Sequence, residues 1–155
     1  MITTSNKELA ETCRMLRMYG MNKTYYAEIE GWNSRLDEIQ AAILSIKLDY
    51  LDDWNKKRRA IANYYCSNVT NKKIVLPKIL INTTHSFHLF VIRTKDREAL
   101  RLHLEKNGVG CAIHYPYPIH LQKAYSFLGY KNGALPETKE AAEEILSIPI
   151  FPELT

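Results

Sequence analysis

Residues 114–122 read His-Tyr-Pro-Tyr-Pro-Ile-His-Leu-Gln, placing the imidazoles of His114 and His120 and the phenols of Tyr115 and Tyr117 on one short segment that ends in the amide of Gln122. Imidazole and phenol groups can hydrogen-bond to sugar hydroxyls or phosphate oxygens, and their faces can hold a ring. Pro116 and Pro118 fix φ and remove amide donors, so the segment suits neither a helix nor a central strand. It follows a strand-like run, and loops at strand ends carry binding residues disproportionately. The competing reading is a rigid turn with half-buried aromatics.

A second cluster lies in residues 31–42, Gly-Trp-Asn-Ser-Arg-Leu-Asp-Glu-Ile-Gln-Ala-Ala. Asn33, Ser34 and Arg35 set an amide, a hydroxyl and a guanidinium where a helix begins, and free N–H groups and the helix dipole favour an anion there. Equally, Ser34 could cap the helix, Arg35 pair with a carboxylate and Asn33 make a turn. A metal reading is weaker. His85 and His88 would point to opposite faces of a strand, and no acidic or cysteine partner sits at ligand spacing, so no metal site is expected. No glycine-rich phosphate loop and no Gly-x-Ser-x-Gly occurs.

The elements that must position these groups follow from punctuation and periodicity. Ser5 with Glu8 fits a capping box, Leu9, Cys13 and Leu16 continue at helical spacing, and Gly20 supplies a stop. Residues 1–4 read as the tail of a strand. Ser34 with Asp37 suggests a second box, after which no Gly or Pro occurs through Val69. Leu36, Ile39, Ile43, Ile46, Tyr50, Trp54, Arg58, Ile61 and Tyr65 recur at three- and four-residue steps. Such a helix spans roughly 50 Å, against a diameter of about 40 Å for a compact domain of this size. It must kink, pair in an oligomer, or pack on something else. Residues 85–94 predict a strand with Phe87, Leu89 and Val91 on one face and Phe90 and Ile92 on the other, covered on both sides. A helix from Asp96 to Asn107–Gly108 is expected next, followed by a short strand over 109–113 and a short helix ending at Gly129. Pro136 opens a last helix, and residues 148–150 read as an edge strand. The expected fold class is α/β, a small sheet flanked by helices with one outsized helix.

Composition narrows the function classes. Of 155 residues, 46% are hydrophobic and 25% charged, which suits a globular chain and not a disordered one. No run approaches the ~20 apolar residues that span a bilayer, so no membrane partner is expected. The formal charge of +4 is scattered apart from Lys56-Lys57-Arg58-Arg59; a solvated helix face explains that cluster better than a nucleic-acid surface. Cys13, Cys66 and Cys111 are odd in number and far apart, as in a reducing cytoplasm.

Residues 31–42 resemble the motif of the DegT/DnrJ/EryC1/StrS sugar aminotransferases, pyridoxal-phosphate enzymes of fold type I. Arg17-Met18-Tyr19-Gly20, residues 88–92, 114–122, Leu135-Pro136 and residues 147–152 resemble further blocks in order. The resemblance implies amino transfer from glutamate to a dTDP- or UDP-linked keto-deoxyhexose, through a lysine holding pyridoxal 5'-phosphate as a Schiff base. That lysine has no counterpart here, so the resemblance implies a C-terminal portion, inactive alone. It implies residues 1–33 as a remnant of the large cofactor-binding domain, 34–69 as the connecting helix and 70–155 as the small domain. It matches Asn33 to a cofactor-phosphate contact across a homodimer, and Arg35, His114, Tyr115 and His120 to substrate-facing positions, with Tyr117 and Gln122 as weaker matches. The homodimer would form through the long helix and residues 31–42. The alternative is a self-associating helical module whose residues 56–59 meet an anionic partner.

Overall fold

A computed structural model describes residues 2–154. The chain forms two compact units, residues 1–49 and 50–155.

The first unit opens with α1 (Lys7–Leu16), capped by Asn6, whose side chain accepts from the Leu9 N–H at 3.0 Å. Asn6 takes the role expected of Ser5; both are strong caps, and Thr4 Oγ1 accepts from the Asn6 N–H at 3.1 Å, which fixes the entry. Residues 2–4 form no strand, and Met1 lies outside the described residues. After α1 the chain turns through Tyr19 and Gly20, both at positive φ, into a hairpin of β1 (Met21–Lys23) and β2 (Tyr26–Ala27). α2 (Glu38–Asn68) then begins. It starts later than Ser34 suggested: Gln40 Oε1 accepts from the Asp37 N–H at 3.3 Å, half of a capping box shifted by three residues.

The 31 residues of α2 match the expected long helix, but its apolar stripe has two fates. Leu36, Ile39, Ile43, Ile46 and Tyr50 are exposed, each by more than half. In the second unit Ala62 is fully buried, and Ile61 and Tyr65 are half-buried. There the helix lies on the core formed by Phe87, Phe90, Ile92 and Leu146, ringed by Ile74, Leu76, Leu100, Leu104 and Ile113.

That core is built on β3 (Phe90–Arg93) and β4 (Ile145–Ile148), antiparallel with Phe90 opposite Ile148 and Val91 opposite Ser147. Single bridges extend the pair: Val75 to Arg93 on one side, Ala112 to Ser147 on the other. The strand expected over 85–94 is shorter. Phe87 sits at φ 48° and gives its N–H to His85 Nδ1 at 2.9 Å, so the extended run begins only after it. Within β3, Phe90 and Ile92 are buried while Val91 and Arg93 are half-exposed, so one face rather than both is covered. α3 (Arg97–Lys106) ends at Asn107–Gly108 as expected, and 3₁₀ turns occupy Ile119–Leu121 and Lys123–Leu128, the latter closed by Gly129 at φ 73°. Pro136 opens α4 (Pro136–Glu144), which runs directly into β4. The last strand therefore lies at 145–148, not at 148–150, where Pro149 has no N–H to give a ladder. Helices beside small antiparallel sheets, with one long helix, make up the fold.

Candidate substrate-facing sites

Ser147 is the fixed point of the second unit's site. It faces Val91 within the β3–β4 pair and, on the other edge, gives its N–H to the Ala112 carbonyl at 2.7 Å and accepts the Ala112 N–H at 3.1 Å. Two residues beyond Ala112, His114 places Nδ1 2.9 Å from Ser147 Oγ. The Tyr115 ring meets the imidazole edge-on at 5.5 Å and is otherwise exposed. His114 lines a concavity of about 380 Å³ with His88, Cys111, Ala112, Ser147 and Pro149. Burial pushes the Cys111 thiol up, which keeps it protonated and unreactive. The wall thus offers a half-buried imidazole with a fixed ring, an exposed second imidazole and a β-edge.

His120 has a different setting. It is buried in the 3₁₀ turn, meets Tyr130 edge-on at 5.9 Å, and its Nε2 has no hydrogen-bond partner among the described residues. Tyr117 and Gln122 are exposed. The Pro-stiffened segment therefore splits its imidazoles: His114 addresses the concavity and His120 packs inward.

In the first unit, backbone hydrogen bonds hold the loop carrying Asn33. A Cβ on Gly20 would overlap the Ile29 carbonyl oxygen, and one on Gly31 would overlap the Gly20 nitrogen. That close approach lets the Tyr19 N–H reach the Trp32 carbonyl at 2.9 Å, the Trp32 N–H reach Leu16 at 2.8 Å, and the Ser34 N–H reach Arg17 at 2.9 Å. Asn33 itself bridges Met18. Asn33, Ser34 and Arg35 are all exposed, and Arg35 makes no ion pair among the described residues. Asn33, Ser34 and Arg35 thus leave an amide, a hydroxyl and a guanidinium open. They do not enclose a cofactor.

Sequence reasoning set Ser147 within a motif block but gave it no role. A lone hydroxyl between Leu146 and Ile148 in an apolar strand was the available signal. The basic run at 56–59 is not one open patch: Lys57 pairs with Asp53 at 3.0 Å, and Arg58 and Arg59 are half-buried.

The chain is 47% identical over 154 residues to the dTDP-3-amino-3,6-dideoxy-alpha-D-galactopyranose transaminase of Aneurinibacillus thermoaerophilus, covering 99% of this chain and 42% of that protein. It is 45% identical over 157 residues to a pleiotropic regulatory protein of Geobacillus stearothermophilus, with the same two coverages. The crystal structure of S. venezuelae DesV in complex with a ketimine intermediate superposes with a TM-score of 0.91 at 44% identity, covering 99% of this chain and 42% of that one. The fold is the one found in sugar aminotransferases. All of residues 1–155 match one family, and the chain belongs to it: the DegT/DnrJ/EryC1/StrS aminotransferase family. The chain spans about two fifths of the length of the curated relatives it matches. A free-standing helical module is not favoured beside that match. Among the described residues, no helix is long and apolar enough to cross a membrane.

Proposed function

We propose that this chain supplies the C-terminal share of a pyridoxal-phosphate-dependent aminotransferase that moves an amino group from glutamate to a dTDP- or UDP-linked keto-deoxyhexose, in the cytoplasm, with residues 1–33 from its large domain, 34–69 as the connecting helix and 70–155 as its small domain. The observation that carries the reading is the likeness, along 99% of this chain and at 47% identity, to two fifths of a dTDP-sugar transaminase. When bound, the cofactor supplies the electron sink for amino transfer. This chain's residues bind and orient. Asn33 donates its exposed amide to the cofactor phosphate, across a homodimer formed through α2 and residues 31–42. The apolar residues Ile39, Ile43, Ile46 and Tyr50 left open on α2, with Leu36 just before it, support that pairing, because a continuous exposed apolar face is a mark of an interface. Arg35 offers a guanidinium to an anionic substrate group. His114 and Tyr115 face the nucleotide-linked sugar from the concavity, and His120, buried with an Nε2 unpartnered among the described residues, is the third substrate-facing residue of the segment.

A chimera tests this: in the Aneurinibacillus transaminase the matched two fifths are replaced by this chain. Amino transfer from glutamate to the dTDP-linked keto sugar is expected, and Asn33→Ala is expected to weaken cofactor retention about tenfold, the loss of one charge-assisted hydrogen bond. A folded, cofactor-loaded chimera without transfer overturns the reading. Borohydride trapping of the cofactor on a lysine of the 155-residue chain alone overturns the assignment of the reactive amine to another part of the protein.

A further inference from the structure

The Ser147–His114 contact fixes which nitrogen of the imidazole carries the proton. Ser147 is only 5% exposed, and its hydroxyl has one hydrogen-bond partner among the described residues, His114 Nδ1 at 2.9 Å. A hydroxyl has one proton to give. If Nδ1–H donated to Oγ, the Ser147 proton would be buried with no acceptor, at the full desolvation cost of that donor. If Oγ–H donates to Nδ1, both members of this pair are satisfied. The neutral ring then carries its proton on Nε2. That nitrogen has no partner among the described residues and is not among the buried unpartnered atoms, so it opens to solvent along the concavity wall. A neutral imidazole held this way is a hydrogen-bond donor to an oxygen ligand and not an acceptor from a hydroxyl.

We infer that Ser147 is a positioning residue that holds His114 as an Nε2–H donor aimed at an oxyanion, such as a phosphate oxygen of a nucleotide-linked ligand. The oxyanion's identity rests on the function proposed above; the proton's place does not. Ser147 suits the task because backbone hydrogen bonds to Ala112 and ladder pairing to Val91 leave its Oγ little freedom. His88, exposed on the same wall, has no such anchor.

The test is nitrogen NMR on the ¹⁵N-histidine-labelled full chain at about pH 8, above the ordinary imidazole range. Nδ1 is expected to read as unprotonated and Nε2 as protonated, with the Nε2–H tautomer ahead by about tenfold, the worth of one buried hydrogen bond. Ser147→Ala is expected to lower that ratio several-fold, and Ser147→Thr, which keeps the hydroxyl, to preserve it. A second, uniformly ¹⁵N-labelled sample of each variant verifies the sheet through its Ala112 and Val91 amide signals. An Nδ1–H tautomer in the wild type overturns the inference, as does an unchanged ratio in a folded Ser147→Ala. The wild-type reading decides alone if the alanine variant does not fold. Inorganic pyrophosphate is the ligand probe: it is expected to shift Nε2 in the wild type, and an unmoved Nε2 overturns the oxyanion assignment. A chimera that fails to aminate leaves the tautomer signals where they are, so the two failures are distinguishable.

Discussion

Gly20 carries more of the first unit than any side chain there. Its φ of +75° is left-handed, and the space a Cβ would need is taken by the Ile29 carbonyl. Gly108 has nearly the same φ, +77°, but nothing within 4 Å of its would-be Cβ. The pair separates two penalties. Gly108→Ala is expected to cost only the left-handed strain, about 1–2 kcal/mol. Gly20→Ala adds a backbone overlap and must open the Gly20–Gly31 contact. Native-state amide exchange at Trp32 and Ser34 is expected to accelerate about tenfold or more in Gly20→Ala, since about 1.4 kcal/mol is a tenfold change in opening. Leu146 amide exchange should not move. If Trp32 and Ser34 keep wild-type exchange, the contact does not hold the Asn33 loop.

At the scale of elements, α2 reaches the end of β4 through Tyr65, whose hydroxyl donates to the Pro149 carbonyl at 2.9 Å while its ring packs on Phe90 at 5.1 Å. Burial raises the Tyr65 pKa from 10.0, because the phenolate is the form that desolvation penalises. A pKa raised on folding means the folded state holds its proton more tightly. The stability from Tyr65 is therefore whole below the ordinary value of 10.0 and falls as pH rises from there through the raised native value. Tyr65→Phe is expected to cost about 1 kcal/mol at neutral pH, from the lost hydrogen bond. The gap between wild type and variant should narrow in urea unfolding above the ordinary tyrosine range. A gap that stays constant through that range would mean the phenol is not desolvated. The same elements show what was legible in the sequence. Gly- and Pro-free periodicity gave α2 apart from a start placed a turn too early, and Asp96 with Asn107–Gly108 gave α3, because both signals are local. Where β3 starts was not legible, because Phe87 leaves the extended region to satisfy a side-chain hydrogen bond that no pattern announces. The split fate of the helix stripe was equally hidden, since periodicity reports an apolar face and not what covers it. His114 was legible as a candidate from its Pro-fixed neighbours. Its partner Ser147, 33 residues away, became visible only through the β4–Ala112 bridge.

Over the whole molecule, apolar burial is distributed unequally between the two units. Every buried hydrophobic side chain described, from Ala62 to Leu146, belongs to residues 50–155. Among the described residues of 1–49 the buried position is Gly20, which has no side chain to bury, and the large apolar residues of that unit's share of α2 face outward. Hydrophobic burial is the dominant favourable term in folding, so local opening should cost far less in the first unit than in the second. Hydrogen exchange by mass spectrometry on the chain alone is expected to show peptides from 7–16 and 38–49 exchanging at least about a hundredfold sooner than peptides spanning 90–93 and 145–148, a difference of roughly 3 kcal/mol. Adding a partner that covers residues 36–50 should slow exchange in the first unit and leave the second unchanged, because a ligand stabilises only the state it binds. Equal protection of both units in the isolated chain would remove the basis for this expectation. The inequality bears on function through where the candidate residues sit. His114 and Ser147 belong to the unit with its own core, so their geometry survives without help. Asn33 and Arg35 belong to the unit that lacks one, where the Gly20–Gly31 approach and its backbone hydrogen bonds place their loop, so exchange at Trp32 and Ser34 should slow with the rest of that unit when residues 39–49 are covered.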